Sequence, residues 1–134
     1  MRSSRIAIMS MVLALIAALF SGCGHEEYTT EVGMNFYKEM YYDEKSHKEQ
    51  PLQLEDGCFG IDVHTSRTSG TIHLEVVDED NADLVYVYDL DDEKDQVTTN
   101  IRIEPENRDD NWVMKIDIDE NTEGKVKLVF HIRN

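Results

Sequence analysis

Apolar and polar residues alternate with a period of two through most of the chain that follows residue 56. Between residues 58 and 64, Phe59, Ile61 and Val63 occupy alternate positions and leave the polar side chains on the other side. Side chains of a β-strand point alternately to its two faces, so this pattern predicts strands with one buried and one solvated face. The alternation recurs in residues 71–77, 84–90, 97–104, 112–119 and 126–133.

Turn-forming segments rich in Gly, Asn, Asp, Ser and Thr separate these predicted strands. We expect Thr65–Gly70 to form a hairpin turn between the strands at 58–64 and 71–77, and one or two weaker strands to precede residue 56. Short strands at such regular spacing are typical of sandwiches and barrels. The predicted fold is therefore all-β: an antiparallel β-sandwich, jelly-roll or immunoglobulin-like, of about 7–8 strands.

The N-terminal residues follow a different pattern. Arg2 and Arg5 are the only charged residues before Cys23, and the run from Ile6 to Phe20 is almost wholly apolar. A membrane-spanning helix needs about 20 apolar residues, whereas this shorter run fits the hydrophobic region of an export signal. The order of charge, apolar run and small residues therefore predicts a signal peptide.

The end of this segment, Leu19-Phe20-Ser21-Gly22-Cys23, resembles the cleavage box of bacterial lipoproteins. That family usually has leucine three positions before the cysteine, where this chain has Phe20. The resemblance implies that Cys23 is acylated and that the protein is extracytoplasmic, lipid-anchored to the bacterial cell membrane. Two acyl chains on one residue are enough for stable attachment.

We expect three parts in the chain: a signal peptide (residues 1–22), the lipidated cysteine with a polar tether (23–33), and a single β-sandwich domain (34–134). The domain also bears a weak resemblance to small secreted bacterial β-sandwich modules. Residues 71–78 with 84–88 are similar to their central hairpin, and residues 126–130 to their last strand. This resemblance implies a fold and carries no functional motif.

The chain is strongly acidic. Its formal charge of −15 would become −17 after loss of residues 1–22, because these contain two arginines and no acid. Such a charge argues against a nucleic-acid partner and against electrostatic adhesion to anionic lipid. Cys58 is the only cysteine besides Cys23, and a buried, inert thiol in a strand is the interpretation we favour for it.

The sequence predicts no cofactor, but its acidic segments make calcium a candidate ion, because calcium binds about six to eight oxygen ligands. Two segments are Asp78–Asp83 and Asp89–Asp95. The most suggestive set contains Asp117, Asp119, Asn121 and Glu123. Its alternating oxygens match the start of an EF-hand loop, but Thr122 stands where that loop needs glycine and Leu128 where it needs glutamate. Solvated strand and turn residues are the competing interpretation.

Three histidines, His64, His73 and His131, fall on the polar sides of predicted strands. A hairpin at residues 65–70 would place Asp62 opposite His73, where a zinc ion with His131 as a third ligand is an alternative. The spacing matches no zinc motif, and surface histidines are the simpler interpretation.

Four aromatic residues fit neither a helical nor a strand period: Phe36, Tyr37, Tyr41 and Tyr42. They are the candidate ligand-binding surface, because exposed aromatic rings stack on sugars and on partner peptides. The alternative is that they cover an open end or edge of the sandwich. Trp112, Tyr86 and Tyr88 are in phase with apolar faces, so we expect them in the core.

These observations predict a membrane-anchored extracytoplasmic lipoprotein with a non-catalytic binding or structural domain, held in the membrane through acylated Cys23. The sequence does not identify its ligand, for which a protein and a glycan are the two classes considered. No constellation of nucleophile, base or paired carboxylates points to an enzyme. A carbohydrate-binding module, with calcium dependence as an option, is the first alternative and predicts aromatics on one exposed face. An inhibitor of an envelope or secreted enzyme is the second and predicts a protruding loop at Glu104–Trp112.

Overall fold

The structure is a computed structural model that describes residues 27–37 and 47–133. The described residues form eight strands and one short 3₁₀ helix at Pro105–Asn107. The strands are β1 (Glu27–Phe36), β2 (His47–Leu52), β3 (Cys58–Ser69), β4 (Ile72–Asp78), β5 (Val85–Leu90), β6 (Gln96–Arg102), β7 (Trp112–Ile118) and β8 (Glu123–Arg133). Within these residues, no helix is long and apolar enough to cross a bilayer.

The strands form two four-stranded antiparallel sheets. Sheet A has the order β1-β8-β3-β6, and sheet B has the order β2-β7-β4-β5. Successive strands change sheet, except for the β4–β5 hairpin. This connectivity is that of a jelly roll. The predicted antiparallel β-sandwich is confirmed, and of the two topologies that the sequence left open, the jelly roll is the one observed.

The core lies between the two sheets and is built from the alternate apolar residues of each strand. Ile61 and Val63 of sheet A are completely buried, as is Leu74 of sheet B, and Trp112 is 1% exposed at the start of β7. Burial of such apolar side chains stabilises the fold by about 1.5–3 kcal/mol for each large side chain. Alternation in the sequence therefore identified the inner faces correctly.

The predicted hairpin at Thr65–Gly70 is wrong. β3 continues to Ser69, and β3 and β4 lie in different sheets. The strand continues through these polar residues because their side chains find hydrogen-bond partners there. Thr65 is buried, and its hydroxyl donates to the Lys125 carbonyl oxygen at 3.0 Å. Only Gly70, with a φ of 73°, has the backbone conformation of a turn.

The predicted tether is also wrong for residues 27–33. β1 begins at Glu27 and pairs with the whole of β8, from Glu27 opposite Arg133 to Phe36 opposite Gly124. The sandwich therefore begins at Glu27, seven residues before the predicted boundary at residue 34. Cys23 and the predicted signal peptide lie outside the described residues.

The loops that connect the strands lie at the two ends of the sandwich. The N-terminal end contains Glu27, Arg133 and the segments 53–57, 79–84 and 103–111. These segments meet through backbone hydrogen bonds, such as that from Arg133 N–H to the Gly57 carbonyl oxygen at 2.9 Å. The distal end contains Gly70 and the segments 91–95 and 119–122.

Candidate functional site

The predicted aromatic surface is not assembled in the described residues. Phe36 is 4% exposed and belongs to the core, so it is not available to a ligand. Tyr37 is 55% exposed, while Tyr41 and Tyr42 lie outside the described residues. Trp112 is buried, as its periodicity predicted. Of the four predicted residues, Tyr37 is thus the one that the structure shows exposed to solvent.

The predicted calcium set, Asp117, Asp119, Asn121 and Glu123, does not converge on one point. Asp117 lies on the outer face of sheet B, where one of its oxygens is 2.6 Å from His47 Nδ1. The Asp119 carboxylate instead accepts hydrogen bonds from the Asn121 N–H at 2.9 Å and from the Thr71 hydroxyl at 3.2 Å. This segment is a hydrogen-bonded turn, and Glu123 begins β8.

The histidines of the zinc alternative lie on opposite sides of the molecule. His64 and His131 are on the outer face of sheet A, whereas His73 is on the outer face of sheet B. Asp62 contacts His131, with 2.6 Å between its Oδ2 and His131 Nε2, and does not lie across from His73. Hydrogen bonds from Asn100 and then from His131 lower the pKa of Asp62. The zinc alternative failed because it depended on the hairpin.

The loop that the inhibitor alternative requires does not protrude. Arg108 Nε donates to the Cys58 carbonyl oxygen at 2.5 Å, and the Trp112 indole N–H donates to the Asn107 carbonyl oxygen at 2.8 Å. Residues 103–111 are thus held against the N-terminal end. Cys58 itself is fully buried, and burial raises the pKa of its thiol, as expected for an inert cysteine.

One group of carboxylates does converge, and the sequence indicated only two of its three members. Asp78, Asp80 and Asp110 each place one carboxylate oxygen within 4.8 Å of the other two. Asp78 ends β4, Asp80 lies in the β4–β5 turn, and Asp110 comes from the loop before β7. We call this group the acidic cluster. No sequence signal joins Asp110 to the others, because only the pairing of β4 with β7 brings them together.

The acidic cluster is electrostatically strained. Burial, followed by the hydrogen-bond contact with Asp110, raises the pKa of Asp78 to about 6. The contact with Asp78 and the hydrogen bond from Asn107 lower the pKa of Asp110. Two carboxylates so close cannot both ionise freely when one of them is buried. The protein alone therefore keeps a proton between Asp78 and Asp110 over part of the acidic pH range.

A polar groove lies on the outer face of sheet A, towards the distal end. Its volume is about 230 Å³. Backbone register places His64 of β3 between Lys127 of β8 and Thr98 of β6. The polar side chains that line it are His64, Ser66, Gln96, Thr98, Lys125 and Lys127. We call it the sheet A groove.

The sheet A groove is positively charged in an otherwise acidic chain. Two carboxylates on the same face have partners of their own: Asp62 contacts His131, and Glu27 lies 2.5 Å from Arg133 Nη2. Within the described residues, no ion pair joins Lys125 or Lys127 to a carboxylate. The alternation in residues 126–133 predicted that Lys127 points outward. It gave no indication that β3 and β6 would flank the two lysines.

The chain matches no protein-family model and no curated protein. Among solved structures, it is similar to the nucleoplasmin-like N-terminal domain of Drosophila FKBP39, with a TM-score of 0.46 and 10% identity, covering 79% of this chain and 90% of that chain. It is also similar to TmCBM61, solved in complex with beta-1,4-galactotriose (TM-score 0.40, 11% identity, 81% of this chain and 69% of that chain). A third similar structure is a family 11 carbohydrate-binding module from Clostridium thermocellum, in complex with a beta-1,3-1,4-mixed-linked tetrasaccharide (TM-score 0.34, 9% identity, 81% and 84%). Similarities of this size assign neither a family nor a ligand to the chain.

Proposed function

We propose that this protein is a lipid-anchored, extracytoplasmic, non-catalytic binding protein, and that its sheet A groove binds a glycan that carries an acidic sugar. The observation that carries the ligand class is the pair of lysines, Lys125 and Lys127. They face a groove and have no carboxylate partner in the described residues, in a chain whose formal charge is −15. Unpaired cations in a concave site favour an anionic group on the ligand.

The polarity of the groove favours a hydrophilic ligand over a protein partner. Ser66, Thr98 and Gln96 offer hydroxyl and amide groups that match the hydroxyls of a sugar. Protein interfaces of useful affinity are centred on buried aromatic or large apolar anchors. The groove offers only Val97 as an apolar side chain, so a glycan with hydroxyl and carboxylate or sulfate groups fits it better.

The net charge of the protein restricts the ligand further. A densely charged polyanion would be repelled by the acidic surface around the groove. A glycan with an acidic group on only some of its sugars can place one acidic group between the two lysines. Its neutral hydroxyls can then face the rest of the groove. We therefore assign the groove to an alternating glycan, such as one with a uronic acid at every second sugar.

Support for the anchor comes from the sequence and from the position of β1. Only Gly24, His25 and Glu26 separate Cys23 from Glu27, and these span at most about 14 Å when extended. An acylated Cys23 would therefore hold the N-terminal end of the sandwich near the bilayer. Lys125 and Gln96, at the starts of β8 and β6, lie towards the distal end. The groove would then face away from the membrane.

A non-catalytic role is supported by the composition of the groove. The residues that line the groove include no carboxylate. Hydrolysis of a glycoside by the usual route needs a pair of carboxylates across the scissile bond.

Ligand binding is tested by calorimetric titration of the full chain in detergent with two oligosaccharides of equal length. Hyaluronan has a uronic acid at every second sugar, whereas chitin oligosaccharide is neutral. We expect binding of the hyaluronan oligosaccharide only, and a loss of about 10-fold in affinity in Lys127→Gln, since a hydrogen bond to a charged group contributes about 1.5–3 kcal/mol. Lys94→Gln, which removes an exposed lysine in the β5–β6 connection, is the matched control.

Equal binding of both oligosaccharides, or equal loss in the two lysine variants, would contradict the role of the groove lysines. Binding of an acidic peptide without binding of either oligosaccharide would reassign the groove to a protein partner. The anchor is tested separately by labelling bacteria that express the full chain with palmitate. We expect label in the wild type and none in Cys23→Ser, and label that persists in Cys23→Ser would contradict the anchor.

A further inference from the structure

We propose that the acidic cluster, Asp78, Asp80 and Asp110, is a calcium-binding site at the N-terminal end of the sandwich. The three carboxylate oxygens lie within 4.8 Å of one another. Calcium binds oxygen at about 2.3–2.6 Å, so two ligands on opposite sides of one ion are about 4.8 Å apart. Three oxygens within this limit can share one ion after small adjustments of their side chains.

An independent observation points to a missing ligand at the same place. Asp78 is only 2% exposed, and no N–H or hydroxyl donor among the described residues reaches its Oδ2. Its other oxygen, Oδ1, accepts the Asp80 N–H at 2.9 Å. Buried carboxylate oxygens without a partner are rare in native proteins, because the lost hydration is not replaced. A cation between the three carboxylates supplies that partner.

The two other carboxylates are held in position by hydrogen bonds from neighbouring groups. Asp80 Oδ2 accepts the Asn111 N–H at 2.7 Å, and Asp110 Oδ2 accepts Asn107 Nδ2 at 3.1 Å. The Glu79 N–H donates to the Asn111 carbonyl oxygen at 2.8 Å and joins the two segments. Such outer hydrogen bonds orient the ligands of metal sites. They leave each carboxylate able to share a lone pair with an ion.

The ligand set favours calcium over other ions. All three side chains are carboxylates, and among the described residues no histidine or cysteine joins the group. Zinc and copper prefer imidazole or thiolate ligands, whereas oxygen-only sites suit calcium and magnesium. Magnesium demands nearly regular octahedral geometry, while calcium accepts irregular sites and completes its shell with water. Asp80 is exposed, so water has access from that side.

A shared proton is the competing occupant of the cluster, and the proposal differs from it in a measurable way. A proton between Asp78 and Asp110 needs no Asp80 and does not respond to calcium. An ion needs all three carboxylates and stabilises the folded chain in proportion to its concentration. An ion would also tie the β4–β5 turn to the loop before β7.

The test is thermal unfolding of the full chain in detergent, with calcium and with chelator. At a calcium concentration 100 times the dissociation constant, we expect the midpoint to rise by about 10 °C or more. Asp110→Asn should abolish the rise, whereas Asp109→Asn should keep it. Asp109 is exposed and adjacent, and its substitution makes the same change of charge outside the cluster.

Terbium provides a second measurement on the same samples. It replaces calcium in oxygen sites, and its emission is sensitised by a nearby indole. Trp112 is the only tryptophan of the chain and lies two residues after Asp110. We expect sensitised emission that calcium displaces in the wild type and in Asp109→Asn, and no such emission in Asp80→Asn.

No calcium-dependent rise in the wild type would overturn the proposal. An equal calcium-dependent rise in Asp110→Asn and Asp109→Asn would also overturn it, because the ion would then bind elsewhere. So would a rise with magnesium as large as that with calcium. If Asp110→Asn does not fold, Asp80→Asn takes its place, because Asp80 is exposed. The result is independent of glycan binding, since the sheet A groove lies towards the other end of the sandwich.

Discussion

Asp78 and Asp110 bring their side chains into contact at the N-terminal end of the sandwich, although one ends β4 and the other precedes β7. They meet because β4 and β7 are neighbours in sheet B, with Asp78 opposite Trp112. The Trp112 ring is buried in the core, and its indole N–H donates a hydrogen bond to the Asn107 carbonyl oxygen of the loop. Core packing therefore positions Asp110 over the buried Asp78.

This contact makes the charge of Asp78 unfavourable in the absence of an ion. With chelator at pH 7, we expect Asp78→Asn to raise the free energy of unfolding by up to about 3 kcal/mol, the equivalent of a pKa raised from 3.8 to about 6. The asparagine Oδ1 can still accept the Asp80 N–H, and its amide can donate to Asp110. Urea unfolding measures the change, with the exposed Asp92→Asn as the control of charge.

A lower stability of Asp78→Asn in chelator would contradict this account of the acidic cluster. In calcium at 100 times its dissociation constant this advantage should be lost, since the variant lacks a ligand and with it the roughly 2.7 kcal/mol that the ion gives to the wild type.

The buried Thr122 hydroxyl holds the β7–β8 turn, where the sequence suggested calcium. It donates to the Thr71 carbonyl oxygen at 2.8 Å and accepts the Asp119 N–H at 3.1 Å. Thr122→Val keeps the shape and leaves these groups unpaired, so we expect a loss of about 1–3 kcal/mol. Chemical denaturation measures it. Thr122→Ser should restore most of the stability, and Thr29→Val at an exposed strand position should change little.

The expected cost would be refuted by a Thr122→Val protein as stable as the wild type. Calcium binding supplies an additional check on the same variant. Because Asp119 caps this turn and does not belong to the acidic cluster, the calcium-dependent rise in melting temperature should survive in Thr122→Val.

His73 links stability to pH through the outer face of sheet B. Its Nδ1 contacts Asp89 and its Nε2 lies 2.8 Å from Glu75 Oε2, while Asp117 is opposite in the register. The hydrogen bond with Asp89, then that with Glu75, raises the pKa of His73 above its ordinary 6.5. The folded state therefore binds the proton more tightly than the unfolded state. This contribution is complete below about pH 6.5 and is lost as the pH rises through the higher folded value.

We expect the unfolding free energy of His73→Gln to lose less with rising pH above about 6.5 than that of the wild type. Asp89→Asn should reduce the same pH-dependent loss to a smaller extent. Unfolding in urea at a series of pH values on both sides of neutrality measures the slope. His64→Gln, on the other sheet, is the control and should retain it. A slope that is the same in His73→Gln as in the wild type would show that other groups produce it.

The alternation of residues was sufficient to predict the inner strands but not the chain path. Ile72, Leu74 and Val76 of β4 alternate clearly and were placed correctly. The first part of β1 was missed because Thr30 stands among its inward-facing residues Tyr28 and Val32, although pairing with β8 makes the segment a strand. The second half of β3 looked like a turn because the sequence does not show that buried hydroxyls find backbone partners.

The candidate sites were less accessible to sequence reasoning, because both depend on strand pairing across long distances in the chain. Asp78 and Asp80 were visible as an acidic turn, but Asp110 reaches them only through the β4–β7 register. Likewise, Lys127 was expected on an outer face, while its neighbours His64 and Thr98 follow from the order of sheet A. Local periodicity assigns a residue to a face and leaves its neighbours on that face undetermined.

The central claim, that the sheet A groove is the binding surface, is tested most directly by mapping ligand contacts at single residues. Nuclear magnetic resonance of the isotope-labelled full chain in detergent would be recorded during titration with the hyaluronan oligosaccharide. The account predicts shifts of the signals of His64, Ser66, Thr98, Lys125 and Lys127, with those of Asp78 and Asp110 unchanged. Shifts confined to any other surface, or none at saturating ligand, would contradict it.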